Sequence, residues 1–258
     1  MATTNRLTER RVLEWLGGCG TLAAAFSLAG AVASAQVPGL ERAGLANLIG
    51  CAPRAVRTAT TGQIHITGSQ ELGKGTFGPG DQLHLDAGSD QGLASGQLYW
   101  VRRVSPPLDR AARDPWFNLH TAGWIRIDDV TSSRAVASIV YACDVIEPGD
   151  YLEPYEAPVV PARIPGAGPP DFGNPGHVLF GADRRQAVGD SAVLVIDLGS
   201  DHGVRSGQVV TFFRRQPGGP ELNLGEGTVL VTLPESATVL VERASRPIYA
   251  GDLAAIHR

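Results

Sequence analysis

Two aspartates stand in the same local setting, Asp86-Ala87-Gly88-Ser89 and Asp197-Leu198-Gly199-Ser200, each behind a stretch of apolar residues. Carboxylates that face each other share a proton, so one can act as base toward an attacking water while the other stays protonated. A second chemistry is calcium binding, because Asp86, Ser89 and Asp90, and likewise Asp197, Ser200 and Asp201, offer oxygens. Calcium takes about six to eight oxygens in a wrapped site, and the spacing here is not that of an EF-hand. The third reading assigns these residues to turns: Asp90 or Asp201 accepts a local backbone hydrogen bond, and Gly92 or Gly203 takes positive φ. Turn chemistry is the expectation, with no metal and no cofactor. The six histidines, His65, His84, His120, His177, His202 and His257, have neither paired ligand spacing nor a nucleophile beside them.

The paired Asp-x-Gly-Ser loops resemble those of pepsin-like aspartic proteases. In that family the residue after each aspartate carries a hydroxyl that locks the two loops together. Here those positions are Ala87 and Leu198, which cannot hydrogen-bond through their side chains. No phosphate loop or dinucleotide fingerprint occurs, since the glycines follow strand-like segments without opening a helix.

The elements that would position these loops are repeated with them. Asp86–Gln97 recurs as Asp197–Gln208 with eight of twelve positions identical, and Ile146 to Asp150 is matched by Ile248 to Asp252. Before each loop the apolar residues Leu83 and Leu85, or Leu194 and Ile196, recur with period two, which predicts a strand. Val193 and Val195 replace polar outward residues, so the second strand is expected to be covered on both faces. Leu93 or Val204 returns to the core between the first turn and a second one at Gly96 or Gly207. Further strands are predicted at 98–102, 124–130, 135–141, 209–213, 228–233 and 237–242. Short strands separated by turns at about ten-residue spacing predict an all-β fold of two homologous small barrels or sandwiches in tandem.

The expected organisation is a signal peptide at 1–35, an N-terminal extension at 36–61, β domain 1 at 62–153, a proline-rich linker at 154–175 and β domain 2 at 176–258. The leader has Arg6, Arg10 and Arg11, an alanine-rich apolar run, and Ala33-Ser34-Ala35 as the small-residue cleavage pattern. Export to the periplasm or medium follows, with membrane attachment only through that segment if it is not removed. Helix is expected at most over Leu40 to Ile49. The linker has seven prolines and would be extended, either separating the domains or lying along one as a strap. The net charge of −4 gives no reason to expect nucleic acid. After cleavage Cys51 and Cys143 remain, and an oxidising compartment favours a disulfide between them, tying the extension to domain 1.

The pattern Asp-x-Gly-Ser-x-x-Gly with a following Gly-Gln, closed by Ile-x-x-Gly-Asp, resembles the C-terminal β domain of flagellar assembly protein T. It is also similar to domains of exported bacterial envelope proteins, some with peptidoglycan-binding LysM modules. The resemblance covers 62–152 and 176–257 and implies non-catalytic envelope modules. A partner would be an envelope protein or peptidoglycan. The extra residues of domain 1, 102–123, read as a surface insertion in which Arg102, Arg103, Arg110, Arg113, Trp116 and Phe117 could bind it, since Trp and Arg are enriched at interface hot spots. The leading expectation is thus a non-enzymatic binding or scaffolding protein. The alternative is an envelope hydrolase using Asp86 and Asp197.

Overall fold

The computed structural model describes residues 38–107, 113–164, 168–216 and 218–258. The leader 1–35 and Arg110 lie outside the described residues. Helix α1 (Pro38–Cys51) is longer than the sequence predicts. Proline suits a first helical position, where no N–H is needed, and the run ends before Ala52-Pro53, because a residue preceding proline disfavours the helical region. Among the described residues no helix is long and apolar enough to cross a membrane.

The rest is mainly strand. The N-terminal sheet comprises β1 (Arg54–Val56), β2 (Ile66–Ser69), β3 (Gln82–Leu85), β4 (Leu98–Ser105), β5 (Phe117–Val130), β6 (Ala135–Ala142) and β7 (Tyr151–Pro154). Its order is β2-β3-β6-β5-β4-β7, with β1 paired to the start of β5. The outer strands curl toward each other, for His65 bridges Tyr151 and the Ile66 N–H donates to the Asp150 carbonyl at 2.9 Å. The C-terminal half comprises β8 (Gly176–Gly181), β9 (Ala187–Val188), β10 (Val193–Ile196), β11 (Val209–Arg214), β12 (Leu222–Thr232), β13 (Ala237–Ala244), β14 (Ile248–Tyr249) and β15 (Leu253–Ile256). Six of these close a barrel, β10-β13-β12-β11-β15-β8, and β9 pairs with β14 beside it. The inward set alternates as period two requires: Leu83 and Leu85 enter the N-terminal core with Ile125 and Ile127, and Leu194 and Ile196 the C-terminal core with Val239 and Phe212.

The twelve-residue segment has the same backbone in both halves. One turn of 3-10 helix (Ser89–Gln91 or Ser200–His202) ends at a left-handed glycine, Gly92 with φ 86° or Gly203 with φ 78°. Leu93 and Val204 are then buried, at 3% and 2% exposure. A second turn places the Gly96 N–H on the Ile127 carbonyl and the Gly207 N–H on the Val229 carbonyl, both at 2.8 Å.

Two expectations are corrected. Residues 102–123 are not simply a surface loop: β4 continues to Ser105 and β5 begins at Phe117, so half of the insertion is paired strand. The linker lies along both halves instead of one. Tyr155 donates its N–H to Leu98, Ile164 donates to the Gly207 carbonyl at 2.8 Å, and Pro170 bridges His257. The extension joins the halves from the other side. The Ser236 and Thr238 hydroxyls, both in buried residues, donate to the Ala55 and Pro53 carbonyls at 2.7 Å, and Val195 and Phe180 bury against Ala55. That contact covers the outward face of β10.

Candidate functional site

The two loop aspartates are each engaged within their own half. Asp86 Oδ1 accepts the His65 N–H at 2.7 Å, with the His65 ring 3.4 Å from Oδ2. Asp197 Oδ1 accepts the His177 N–H at 2.5 Å and Oδ2 meets Nδ1 at 3.0 Å. A carboxylate so used ties the residue before β2, or the second residue of β8, to the end of β3 or β10. Gly88 and Gly199 lie against backbone: an added Cβ would come within 2.2 Å of the Thr131 or Leu233 carbonyl oxygen. Asp90 and Asp201 are exposed and do not supply the expected local acceptor. The Gln91 side-chain oxygen accepts the Gly88 N–H at 2.8 Å, and His202 Nδ1 accepts that of Gly199 at 3.1 Å. An aspartate at that point of a 3-10 turn projects into solvent, whereas the residue after it folds back.

A second matched pair was not singled out in the sequence. Asp150 receives Arg103 Nε at 2.6 Å and Nη2 at 2.8 Å, and Asp252 receives Arg214 Nε at 2.6 Å and Nη2 at 2.7 Å. Both aspartates also accept a backbone N–H from three residues earlier, Glu147 or Tyr249. Planar two-point forks of this kind favour the charged forms. The hydrogen bond to its aspartate raises the pKa of Arg103 and of Arg214, against a smaller loss from burial. The available signal was that Gly-Asp recurs at the end of both repeats, with Arg103 and Arg214 at matching positions.

The remaining arginine and aromatic candidates are mostly engaged internally. Arg102 is 1% exposed, donates from Nε to Glu153 at 3.2 Å, and bonds the Thr121 hydroxyl through Nη1. Burial lowers its pKa, opposed by Glu153. The Arg57 guanidinium stacks 3.6 Å over the Trp116 ring, and Trp116 packs against the Ala55, Phe180 and Val195 cluster between the halves. Phe117 pairs with Val56. Only Arg113 among the described members is exposed. Cys51 and Cys143 form the expected disulfide, with Cα atoms 5.4 Å apart.

Unsatisfied binding capacity lies elsewhere, at Arg54 on β1. Its Nε is buried without a hydrogen-bond partner, and no ion pair reaches Arg54 among the described residues. Burial, the largest cause, and then the nearby Arg102 charge lower its pKa to about 10, while Glu153 and Glu156 act the other way. It is therefore a cation at neutral pH. Arg54 lines a cleft of about 550 Å³ between the linker and both halves, together with Trp100, Arg102, Glu153, Glu156, Ser206 and Thr232. Trp100 is fixed there by Trp124, edge-on at 5.3 Å between centroids, and by Tyr155 at 4.5 Å. Above them Trp124 stacks on Tyr141 at 4.4 Å. Trp100 is itself buried, at 4% exposure, with the Arg102 guanidinium 4.8 Å from its ring centroid. The cleft holds no nucleophile with an adjacent base. No protein-family model matches the chain, and no curated protein matches it.

Proposed function

We propose that this is an exported, non-catalytic protein of the bacterial cell envelope, built from a duplicated β domain and serving as a binding or scaffolding module. The observation that carries this reading is the use made of the reactive side chains. Asp86, Asp197, His65, His177, Asp150 and Asp252 each hold together their own half, whereas the cleft between the linker and both halves is a preformed concavity lined by Arg54, Arg102, Glu153 and Glu156. A hydrolase needs a base within hydrogen-bond reach of the proton it removes. A binding module needs only a preformed concave surface.

Three further features support it. The leader at 1–35 has the composition of a signal peptide. A disulfide suits an oxidising compartment such as the periplasm. The matched turns, aspartate clasps and arginine forks are what duplication of one domain would leave. The partner on this reading is peptidoglycan or an envelope protein.

Two measurements test it together: expression of the full chain with separation of periplasm from cytoplasm, and co-sedimentation of the mature protein with purified peptidoglycan or defined envelope proteins. Periplasmic recovery starting near Gln36, with saturable binding and no turnover of the bait, is the expected result. Cytoplasmic retention overturns the export reading. Bait hydrolysis that disappears in Asp86→Asn and Asp197→Asn would instead establish the protein as a hydrolase.

A further inference from the structure

We propose that the outer face of the N-terminal sheet beside the Gly96 turn docks an extended segment of a partner protein, one that carries a carboxylate next to an apolar residue. This rests on the reading of the protein as a binding or scaffolding module and names the kind of segment its N-terminal half takes.

In the C-terminal half the same face is occupied. Linker residues 162–164 cross it: the Ile164 N–H donates to the Gly207 carbonyl at 2.8 Å, and Arg163 pairs with Glu242, whose other oxygen accepts the Thr228 hydroxyl at 2.7 Å. Gly207 and Thr228 are buried there, and Val209 is 5% exposed. In the N-terminal half the matching positions are open among the described residues. Gly96 is exposed and its carbonyl accepts no hydrogen bond, Leu98 stands for Val209 at 37% exposure, and Val140 stands for Glu242 at 49%. Tyr141 adds a further exposed apolar side chain, stacked on Trp124. The register shift between β5 and β6 skips Val140, so that Val140 and Tyr141 both face outward while Ile139 packs on the core. The segment that precedes the N-terminal half does not cross this face, because it is committed to α1, its disulfide and the pairing of β1 with β5.

The exchange of charge between the halves narrows the class. Glu242 takes an arginine from the linker, whereas the residue across from Leu98 on β5 is Arg126, in the place that Thr228 holds across from Val209. The Arg126 side chain is 55% exposed, and its one ion pair among the described residues is with Asp128 at 3.5 Å. An exposed pair of that kind contributes little, and Asp128 is also bonded by Ser138. A guanidinium offers further parallel N–H groups to a second carboxylate. An extended segment meets all three features at once: a backbone N–H for the Gly96 carbonyl, an apolar side chain over Leu98, Val140 and Tyr141, and a carboxylate for Arg126. Prolines, which pre-set the extended form of the linker, lower the ordering cost of such a segment.

The test is a titration of the mature, disulfide-bonded protein, followed residue by residue through its amide resonances. Two capped peptides are the probes: residues 159–164 of the linker as they stand, and the same peptide with Arg163→Glu. The Glu peptide should shift the Gly96, Leu98, Arg126 and Val140 amides saturably and bind roughly fivefold tighter than the Arg peptide, as one exposed charge pair allows. Arg126→Glu in the protein should invert that order. No saturable shift at these residues, equal affinities, or an order unchanged in Arg126→Glu would each overturn the proposal. Should Arg126→Glu fail to fold, the comparison of the two peptides on the native protein, with the location of the shifts, decides. Self-association in sedimentation velocity that Val140→Asp abolishes, without peptide binding, would assign the face to a second copy and overturn it too. Peptidoglycan or envelope-protein binding that persists without peptide binding sinks this inference alone, and loss of both sinks the binding-module reading as well.

Discussion

The Gly96 and Gly207 turns share a sequence, a backbone and a hydrogen bond, yet only one of them is covered. Gly96 is exposed, with φ 87° and no atom within 4 Å of where a Cβ would sit. At Gly207, with φ 91°, the same Cβ would come within 2.2 Å of the Ala162 carbonyl oxygen, because the linker docks there through the Ile164 N–H. The linker is further fixed by an ion pair between Arg163 and Glu242. The N-terminal sheet is secured differently. Its position equivalent to Ser245 is Cys143, and the bond to Cys51 brings α1 and β1 against it. A local turn motif thus specifies how the chain reverses but not what packs on the reversal.

The largest effect that sharpens this comparison is loss of the disulfide, which only the N-terminal half has among the described residues. Closing a separation of 92 residues is worth ~4 kcal/mol by chain-entropy arguments, with the observed gain often smaller. Cys143→Ser should therefore lower the unfolding midpoint in calorimetry to the value that reductant produces in the native protein. A midpoint unmoved by both would show that β1 pairing and the Ser236 and Thr238 hydroxyls anchor the extension by themselves.

Alanine at the two glycines gives the next effect. Gly96→Ala bears only the strain of a left-handed L-residue, roughly 1 kcal/mol. Gly207→Ala adds a collision with the linker backbone and loss of the Ile164 hydrogen bond, roughly 1 kcal/mol more. Chemical denaturation should rank Gly207→Ala below Gly96→Ala, and limited proteolysis should cut the linker only in the former. Equal losses would mean that the linker does not stabilise the turn.

The smallest effect is a dependence on pH confined to the N-terminal half. His120 Nε2 is buried beside Asn118 without an aligned hydrogen bond, although Asp144 lies 3.3 Å away, and burial, the largest cause, lowers its pKa below 6.5. The unfolded chain takes up the proton first, so the contribution of neutral His120 is present above pH ~6.5 and is lost as pH falls toward the lower folded value. Its counterpart in the C-terminal half is Leu222, on β12. Native protein should lose more stability between pH 7 and pH 5 than His120→Gln, measured by thermal melts. Identical pH profiles would remove His120 as the cause.

Strand positions, the buried Leu93 and Val204, the left-handed glycines and the disulfide were legible because each follows from local rules: alternation of period two, positive φ, and two remaining cysteines. The arginine forks were partly legible, since Asp150 and Asp252 recur at matching positions. Arg54 carried no signal at all. It sits in an extension without periodicity, and its environment is made by Trp100, Glu153 and Thr232, which the chain brings from distant positions.

By itself, then, the sequence determined the all-β character, the turns and most of the strand positions, because hydrogen bonds over a few residues and side-chain alternation suffice for these. The tertiary structure alone decided that Arg102 is buried against Glu153, that Trp116 lies between the halves, and that the linker covers Gly207 but not Gly96. It also decided that Arg54 lacks a partner. Burial and pairing of a charge depend on which distant segments arrive around it, and that is set by packing of the extension and linker on both halves rather than by neighbours in the chain.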